Sequence, residues 1–273
     1  MRVRNVLSLF DGISCGQLAL HRAGISYDTY YASEIDKHAI SVTQHNFKNT
    51  VQLGDVTSID FKKLKNIDLV MGGSPCQGFS ILGKQKSFKD PRSKLFFEFI
   101  RALDELKPKY FLLENVKMKE EFQDTISRYL KCQPILIDSS KVSAQMRKRL
   151  YWTNIKGVDQ PEDLGILLKD IIDDGYVEKS KSWCMLESWN RFPKKTESAE
   201  KRYKRSMMPI VFSKESCTFS GGWRPLNRNE CERLQNVPDN YTSVVPEKVA
   251  MGLLGNGWTV DVISHILKSI KKV

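Results

Sequence analysis

The amino-acid sequence predicts an α/β fold with a doubly wound, parallel β-sheet and a smaller domain inserted in its second half. Short apolar runs, typical of buried strands, alternate with amphipathic helical segments as far as about Gly157. This rhythm then stops, and residues 160–219 are polar, basic and irregular. A compact helical pattern returns after Arg224, so the simplest organisation is an α/β domain that is interrupted and then completed by the last part of the chain.

The elements follow in order along the first half. Strands are predicted at residues 5–10, within 27–35, and at 51–56, 67–71, 109–116 and 134–137. Helices are predicted at residues 17–23, 36–47, 94–106, 120–130 and 260–270. Phe96, Phe99, Leu103 and Leu106 recur at helical intervals in the third of these helices, and Pro108 ends it.

Composition excludes several classes of protein. Hydrophobic residues make up 41% and charged residues 27%, which is ordinary for a globular protein. The first apolar run is stopped by Asp11, too early for a signal-peptide core, and no run has membrane-spanning length. The six cysteines form no C-x-x-C pair or Cys/His cluster. We therefore expect a cytoplasmic, monomeric protein with no metal site, no disulfide framework and no membrane partner.

Unusual residues follow five of the predicted strands. These are the loop 10–16, Glu34, Asp55, the pair Pro75–Cys76, and the pair Glu114–Asn115. The carboxyl ends of parallel strands share one edge of a sheet, and ligands bind in the crevice there. A thiol, several carboxylates and a glycine-containing loop are thus predicted to converge on one site.

The glycine-containing loop at residues 10–16 indicates which class of cofactor could bind. A dinucleotide-binding loop has the pattern G-x-G-x-x-G, but Asp11 stands at the first position here, and only Gly12 and Gly16 remain. A carboxylate in that loop repels a pyrophosphate and favours a cationic ligand. Glu34 stands where an acid commonly binds a ribose diol. These residues favour a positively charged nucleoside without phosphates, such as S-adenosylmethionine, although a plain strand-to-helix turn is the alternative.

Cys76 has two interpretations. Most cysteines are small buried hydrophobic residues. A nucleophilic cysteine needs a base or a local positive charge, and no histidine lies near Cys76 in the sequence. Arginines are available in the segment 145–149, which is otherwise interpreted as a solvated basic loop.

Six motifs, in this order, resemble those of the cytosine-C5 DNA methyltransferases. The motifs are FDGISCG, GGSPCQGFS, ENV, QMRKR, RPLNRNECERLQNVPDNY and GNGWTVDVI. The resemblance spans residues 5–152 and 224–270, and the small size of the chain resembles bacterial and phage members of the family. It implies a Rossmann-like, S-adenosylmethionine-dependent methyltransferase fold. Residues 1–159 would begin the catalytic and cofactor-binding domain, 160–222 would form a target-recognition domain, and 223–273 would complete the catalytic domain.

The resemblance also implies an activity and its residues. The protein would be a sequence-specific enzyme of DNA methylation, as in restriction-modification, that flips the target cytosine out of the duplex. Cys76 would be the nucleophile, Glu114 would contact cytosine N3 and the amino group, and Arg147 and Arg149 would hold the base and flank the thiolate. The residues implied at the S-adenosylmethionine site are Phe10, Asp11, Gly12, Gly16, Glu34, Asp55, Val56, Pro75 and Asn256. Asn256 is followed by glycine, where the family more commonly has serine.

The insert carries much of the positive charge. Residues 178–205 contain nine basic and four acidic side chains, a balance of +5 in a protein whose net charge is +11. Four aromatic residues, Trp183, Trp189, Phe192 and Tyr203, make a simple solvated linker a poor interpretation. We therefore predict that duplex DNA binds here. The predicted DNA contacts are Lys201, Arg202, Lys204 and Arg205 in the insert and Gln77 and Ser80 after the cysteine.

Two other functions remain open on the sequence. One branch of the family has the same motifs and methylates cytosine in tRNA. A catalytically silent, methyltransferase-like regulator is the second alternative, although the presence of Cys76, Glu114, Arg147 and Arg149 argues against it.

Overall fold

The structure is a computed structural model that describes residues 1–74 and 91–272, the side chains of 91–94 and 272 excepted. Its contacts divide the chain into two compact units. The first unit comprises Met1–Ile137, Lys148–Gln160 and Ile263–Val273, and the second comprises Asp138–Arg147 and Pro161–Val262. Residues 223–262 are thus grouped with the insert by contacts, while the functional domain boundaries stay a prediction.

The first unit is built on a sheet that contains seven strands in the described part of the chain. The strands are β1 (Asn5–Leu9), β2 (Thr29–Ser33), β3 (Val51–Gln52), β4 (Ile67–Gly73), β5 (Tyr110–Val116), β6 (Ile135–Asp138) and β7 (Lys148–Thr153). Their order across the sheet is β3-β2-β1-β4-β5-β7-β6, and neighbours from β3 to β5 pair in parallel. The predicted α/β class with a parallel sheet is confirmed.

The strand β7 is absent from the elements predicted above. It pairs antiparallel with β5, with Leu113 opposite Trp152 and Val116 opposite Arg149. Its first two residues, Lys148 and Arg149, have the composition of a basic loop, although the residues from Leu150 onward are buried. Only pairing between distant segments shows that this stretch completes the sheet.

Within the described residues, four α-helices connect the strands of the first unit. They are α1 (Cys15–Arg22), α2 (Lys37–Asn46), α3 (Pro91–Leu106) and α4 (Glu120–Leu130). The predicted bounds of α4 agree with the structure, and those of α1 and α2 differ by one or two residues. Asp36 starts α2, because its side chain accepts hydrogen bonds from the backbone N–H groups of His38 and Ala39.

The core of the first unit lies between the sheet and its helices. Phe96 and Phe99 of α3 pack with Leu7 of β1 and Trp152 of β7, and all four are fully buried. Each such side chain contributes about 1.5–3 kcal/mol by its removal from water. Gly72 allows this close packing, since a Cβ there would lie 3.0 Å from the carbonyl oxygen of Leu9 and 3.1 Å from the ring of Phe99.

The second unit contains short elements. They are α5 (Thr196–Lys204), β8 (Val211–Phe212), β9 (Trp223–Arg224), α6 (Arg228–Leu234) and α7 (Glu247–Asn256), and α8 (Val260–Lys268) begins in this unit. Aromatic rings form its core: Tyr203 contacts the rings of Trp183, Phe212 and Phe219 edge-on. Two of the four aromatic residues that argue against a linker, Trp183 and Tyr203, therefore pack within this unit.

Ion pairs fasten the start of α6. Glu230 is fully buried, and Arg224 donates to both of its carboxylate oxygens at 2.8 Å. Glu230 also accepts the backbone N–H of Asn227, whose side chain accepts the N–H of Glu230 in return. This reciprocal cap fixes the first turn of the helix.

Candidate active site

The loops after the parallel strands meet at one edge of the sheet, and hydrogen bonds join neighbouring loops. The backbone N–H of Gly12, after β1, donates to Glu34 Oε2 at 2.8 Å. The hydroxyl of Ser33, at the end of β2, donates to the carbonyl oxygen of Gly54 at 2.7 Å. The structure thus brings the predicted cofactor residues of the first three strands together.

Asp11 is half-buried at this edge, and its carboxyl group is partly removed from water. One oxygen accepts the hydroxyl of Tyr30 at 2.7 Å, and the other accepts the hydroxyl of Ser14. Burial raises the pKa of Asp11 to about 6, although both hydrogen bonds lower it. An ionised Asp11 is therefore costly, and a cation beside it removes part of that cost.

The backbone of this loop has an unusual conformation. Phe10 and Ser14 both have φ of 58°, in the left-handed region that residues other than glycine rarely adopt. Gly12 lies between them with φ of 60°, a conformation that glycine adopts without strain. Backbone strain of this kind clusters at ligand sites, where the surrounding contacts hold it in place.

Glu34 is fixed by three backbone donors. Its Oε2 accepts from Gly12, and its Oε1 accepts from the N–H groups of Ile35 at 2.7 Å and Asp36 at 2.9 Å. A carboxylate has about four acceptor positions, so roughly one remains for a ligand hydroxyl. The carboxylate is thus rigid and can still accept one hydrogen bond from a ribose.

The other cofactor residues of the first unit differ in exposure. Asp55 is exposed, and its pKa is lowered because the backbone N–H of Thr57 donates to it at 2.9 Å. Val56 follows it and is buried, and Gly16 is buried in the first turn of α1. Asp55 can therefore reach a ligand directly, while Val56 and Gly16 shape the backbone beneath.

Glu114 and Arg149 form an ion pair at the end of β5. Arg149 Nε lies 2.9 Å from Glu114 Oε1, and only 13% and 11% of the two side chains are exposed. Antiparallel pairing explains the contact: Arg149 lies opposite Val116 and Glu114 opposite Tyr151, so the two side chains are diagonal neighbours on one face. The strand β7 is therefore what delivers this arginine to the carboxylate.

The last described residue of the β4 loop is held beside Glu114. Gly73 lies opposite Glu114 in the sheet. The side-chain amide of Asn115 donates to the carbonyl oxygen of Ser74 at 3.3 Å and to its hydroxyl at 3.1 Å. Sequence reasoning assigned Asn115 no role; its place directly after Glu114 was the available signal. The predicted residues Pro75, Cys76, Gln77 and Ser80 follow and lie outside the described residues.

Arg147 has a different environment from Arg149. It belongs to the second unit, and only 4% of the residue is exposed. Its guanidinium donates to the carbonyl oxygens of Met185 at 2.9 Å and Gly257 at 2.9 Å, and also to Cys184 Sγ and the carbonyl oxygen of Gly255. These contacts make Arg147 a cross-link within its unit, and its predicted contact with the base stays a prediction.

The remaining predicted residues also lie in the second unit. Asn256 is the exposed last residue of α7. Lys201, Lys204 and Arg205 are exposed on α5 or at its end, whereas Arg202 is half-buried. Lys204 pairs with Glu200 at 2.6 Å, so its charge is already compensated in part.

Metal-binding clusters and membrane-spanning helices are both absent from the described residues. The described residues contain no group of three His, Cys, Asp or Glu side chains that could hold a metal ion. Among the helices of residues 1–74 and 91–272, none is both long and apolar enough to cross a membrane.

The fold and the carboxyl edge together define a class of protein. A sheet in the order β3-β2-β1-β4-β5-β7-β6, with β7 antiparallel, is the Rossmann-like fold of S-adenosylmethionine-dependent methyltransferases. The model of the C-5 cytosine-specific DNA methylase family matches residues 4–157 and 123–272. The chain belongs to this family.

Individual relatives agree with that assignment. The orphan methyltransferase M.SPRI of Bacillus phage SPR is 46% identical over 114 residues, which cover 41% of this chain but only 26% of the phage protein. The type II methyltransferase M1.ScrFI of Lactococcus lactis subsp. cremoris is 28% identical over 98% of this chain and 78% of its own length. The solved Entamoeba histolytica methyltransferase EhMeth superimposes with a TM-score of 0.77 at 19% identity, covering 100% of this chain and 99% of that chain, which shows the shared fold.

Proposed function

We propose that the chain is a DNA (cytosine-5-)-methyltransferase that transfers the methyl group of S-adenosylmethionine to C5 of a flipped-out cytosine. The observation that supports this most directly is the Glu114–Arg149 pair beside Ser74, the residue that leads into the Pro75–Cys76 motif. An acid positioned next to a nucleophilic cysteine is what addition to a cytosine ring requires.

The residues at the carboxyl edge fit S-adenosylmethionine. Asp11 is a half-buried carboxyl group that gains from a nearby positive charge, and Glu34 retains an acceptor position for a ribose hydroxyl. Asp55 is exposed and ionised, so it can accept a hydrogen bond from an amino group. When bound, the cofactor supplies an electrophilic methyl group on a sulfonium sulfur.

The chain's own residues then have these roles. The Cys76 thiolate adds to C6 of cytosine and makes C5 nucleophilic. Glu114 holds a proton or a hydrogen bond at N3, which stabilises the adduct. Arg149 keeps the Glu114 carboxyl group in its orientation through their ion pair. Loss of the proton from C5 finally allows Cys76 to leave.

The domain proposal accompanies the activity. Residues 1–159 and 223–273 would supply the catalytic domain, and 160–222 would recognise the target sequence. Double-stranded DNA would be held by basic residues of α5 and by Gln77 and Ser80. The concentration of exposed basic side chains on α5 supports this division.

Methyl transfer from labelled S-adenosylmethionine to duplex DNA and to tRNA tests the substrate. We expect incorporation into DNA alone, and bisulfite sequencing of DNA from an expressing host should show one short methylated sequence. Label in tRNA without label in DNA would support the RNA alternative. No label in either, together with unmethylated host DNA, would indicate a silent protein.

Covalent trapping tests the nucleophile. A duplex with 5-fluorocytosine at the target should form a complex that survives denaturation, because fluorine cannot leave C5 as a proton does. Cys76→Ala should abolish the complex and methylation while DNA binding persists. Mapping of the adduct to Cys15 or any other cysteine would refute the assignment.

A further inference from the structure

A groove runs along one face of α5 in the second unit. The side chains of Ser198, Lys201, Arg202 and Arg205 recur at the helical spacing that places them on one face, and the loop that contains Arg191 forms the opposite wall. The cavity has a volume of about 550 Å³. We call it the α5 groove.

The charge of the α5 groove is one-sided. Arg191, Lys201, Arg202 and Arg205 line it, and among the described residues that line it none is acidic. None of these four arginine and lysine side chains forms an ion pair within the described ranges. Lys204 is different: it does not line the groove and pairs with Glu200 at 2.6 Å. Four like charges around one concavity repel one another, and this cost is recovered when an anion binds.

The walls of the groove are tied together. Arg202 reaches from α5 across to the loop and donates to the carbonyl oxygen of Arg191 at 2.7 Å. It therefore acts as a positioning residue, while the exposed side chains of Arg191, Lys201 and Arg205 are available to a ligand. Phe192 and Met207 add apolar surface between the cations.

We propose that the α5 groove seats the phosphodiester backbone of the DNA duplex and fixes its register without reading bases. The inference rests on the proposed function and names the chemistry of one part of its DNA surface. Arginine and lysine donate to phosphate oxygens, and the apolar surface of Phe192 and Met207 suits deoxyribose. The described lining contains no Asn, Gln, Asp or Glu side chain, so it lacks the usual partners of adenine and cytosine edges. Arginine and lysine also bond guanine edges, and the ratio of affinities for target and unrelated duplexes tests that alternative.

The residues that this proposal assigns to phosphate binding differ from those predicted from the sequence. Lys204 was predicted to act with its three neighbours on α5, but it does not line the groove, and it pairs with Glu200 instead. Arg191, which precedes the helix and was not predicted, takes its place. The groove therefore assigns distinct roles to side chains that look equivalent in the sequence.

Two triple variants of the full chain test this proposal. The groove variant is Arg191→Ala/Lys201→Ala/Arg205→Ala. The control is Lys194→Ala/Lys195→Ala/Lys214→Ala, which removes the same number of positive charges from exposed positions outside the groove. The dissociation constant of a duplex that contains the target sequence is measured for both from low to moderate salt. S-adenosylmethionine binding and the melting curve verify that both variants are folded.

We expect the groove variant to lose about two to three units of the slope of log K against log salt, since each lost phosphate contact removes about 0.9 unit. The control should change the slope by less than about one unit. The ratio of affinities for target and unrelated duplexes should stay unchanged in the groove variant, because phosphate contacts carry no sequence information.

The alternatives give different results. Equal slopes for both triple variants would overturn the proposal, since general charge would then explain binding. A groove variant with normal salt dependence but lost discrimination would show base reading instead, and a slope change seen with tRNA but not with duplex DNA would assign the groove to RNA. DNA methylation by the wild-type protein is measured under the same conditions. If the wild type methylates DNA, the proposed function stands, and the results above concern the groove alone.

Discussion

Asp11→Asn should make the protein without cofactor more stable at neutral pH and at the same time weaken cofactor binding. The reason is that burial raises the pKa of Asp11 from 3.8 to about 6, so the ionised carboxylate is unfavourable in the folded state. The difference corresponds to about 3 kcal/mol, which screening by solvent at this half-buried position reduces to about 1–2 kcal/mol. Asparagine has nearly the same shape and cannot ionise. Its amide nitrogen replaces one acceptor oxygen, so one of the hydroxyls of Tyr30 and Ser14 must turn to accept, which offsets part of the gain.

The sign of the pH dependence follows from the direction of the shift. The folded protein binds this proton more tightly than the unfolded chain does. The contribution of Asp11 to the stability of the fold is therefore favourable below the pKa of Asp11 in the unfolded chain and is lost as the pH rises through about 6. The advantage of Asp11→Asn should therefore be largest near pH 8 and should vanish near pH 4. Urea denaturation at several pH values between these limits measures it.

Cofactor binding should respond in the opposite direction. The asparagine variant loses the charge that faces a cationic ligand, and we expect its affinity for S-adenosylmethionine to fall by about 1–3 kcal/mol. Calorimetric titration near pH 8 measures this. In the wild type, affinity should also weaken as the pH falls through about 6, because Asp11 then becomes protonated.

Asp55→Asn is the matched control. Asp55 lies at the same edge, but it is exposed and its pKa is lowered by the backbone N–H of Thr57. Its ionised form favours the folded state above the unfolded pKa, so this variant should gain no stability near pH 8. The reasoning about Asp11 is refuted if Asp11→Asn is no more stable than the wild type near pH 8, or if its advantage is the same near pH 4.

Three further variants test the rest of the site. Glu114→Gln should reduce turnover by about a hundredfold or more in a methyl-transfer assay, since it removes the acid and leaves Arg149 without its carboxylate, while the cofactor affinity should stay the same. Asn115→Ala should lower kcat with little effect on the KM for cofactor, because it releases Ser74, and equal kcat values would argue against that positioning role. Glu34→Ala should weaken S-adenosylmethionine binding by about 1–3 kcal/mol without altering DNA affinity, and an unchanged cofactor KM would exclude the ribose contact.

The sequence by itself determined the alternation of strands and helices and the residues that follow each strand. Periodicity and local end signals are short-range properties, and for this reason α4 was predicted with its observed bounds and α2 to within one residue at each end. Because a parallel sheet has all its carboxyl ends on one side, the shared edge of Gly12 and Glu34 also followed from the order of the elements.

Only the tertiary structure decided which side chains meet. The pairing of Glu114 with Arg149 depends on β7. The basic first residues of β7 do not look like a strand in the sequence, and only their pairing with β5 shows that they form one. The different roles of Arg147 and Arg149, two residues apart, have the same origin, since one contacts backbone carbonyls of the second unit and the other a carboxylate of the first. Such contacts join residues far apart in the chain, and local pattern holds no information about them because it reports only on neighbours in sequence.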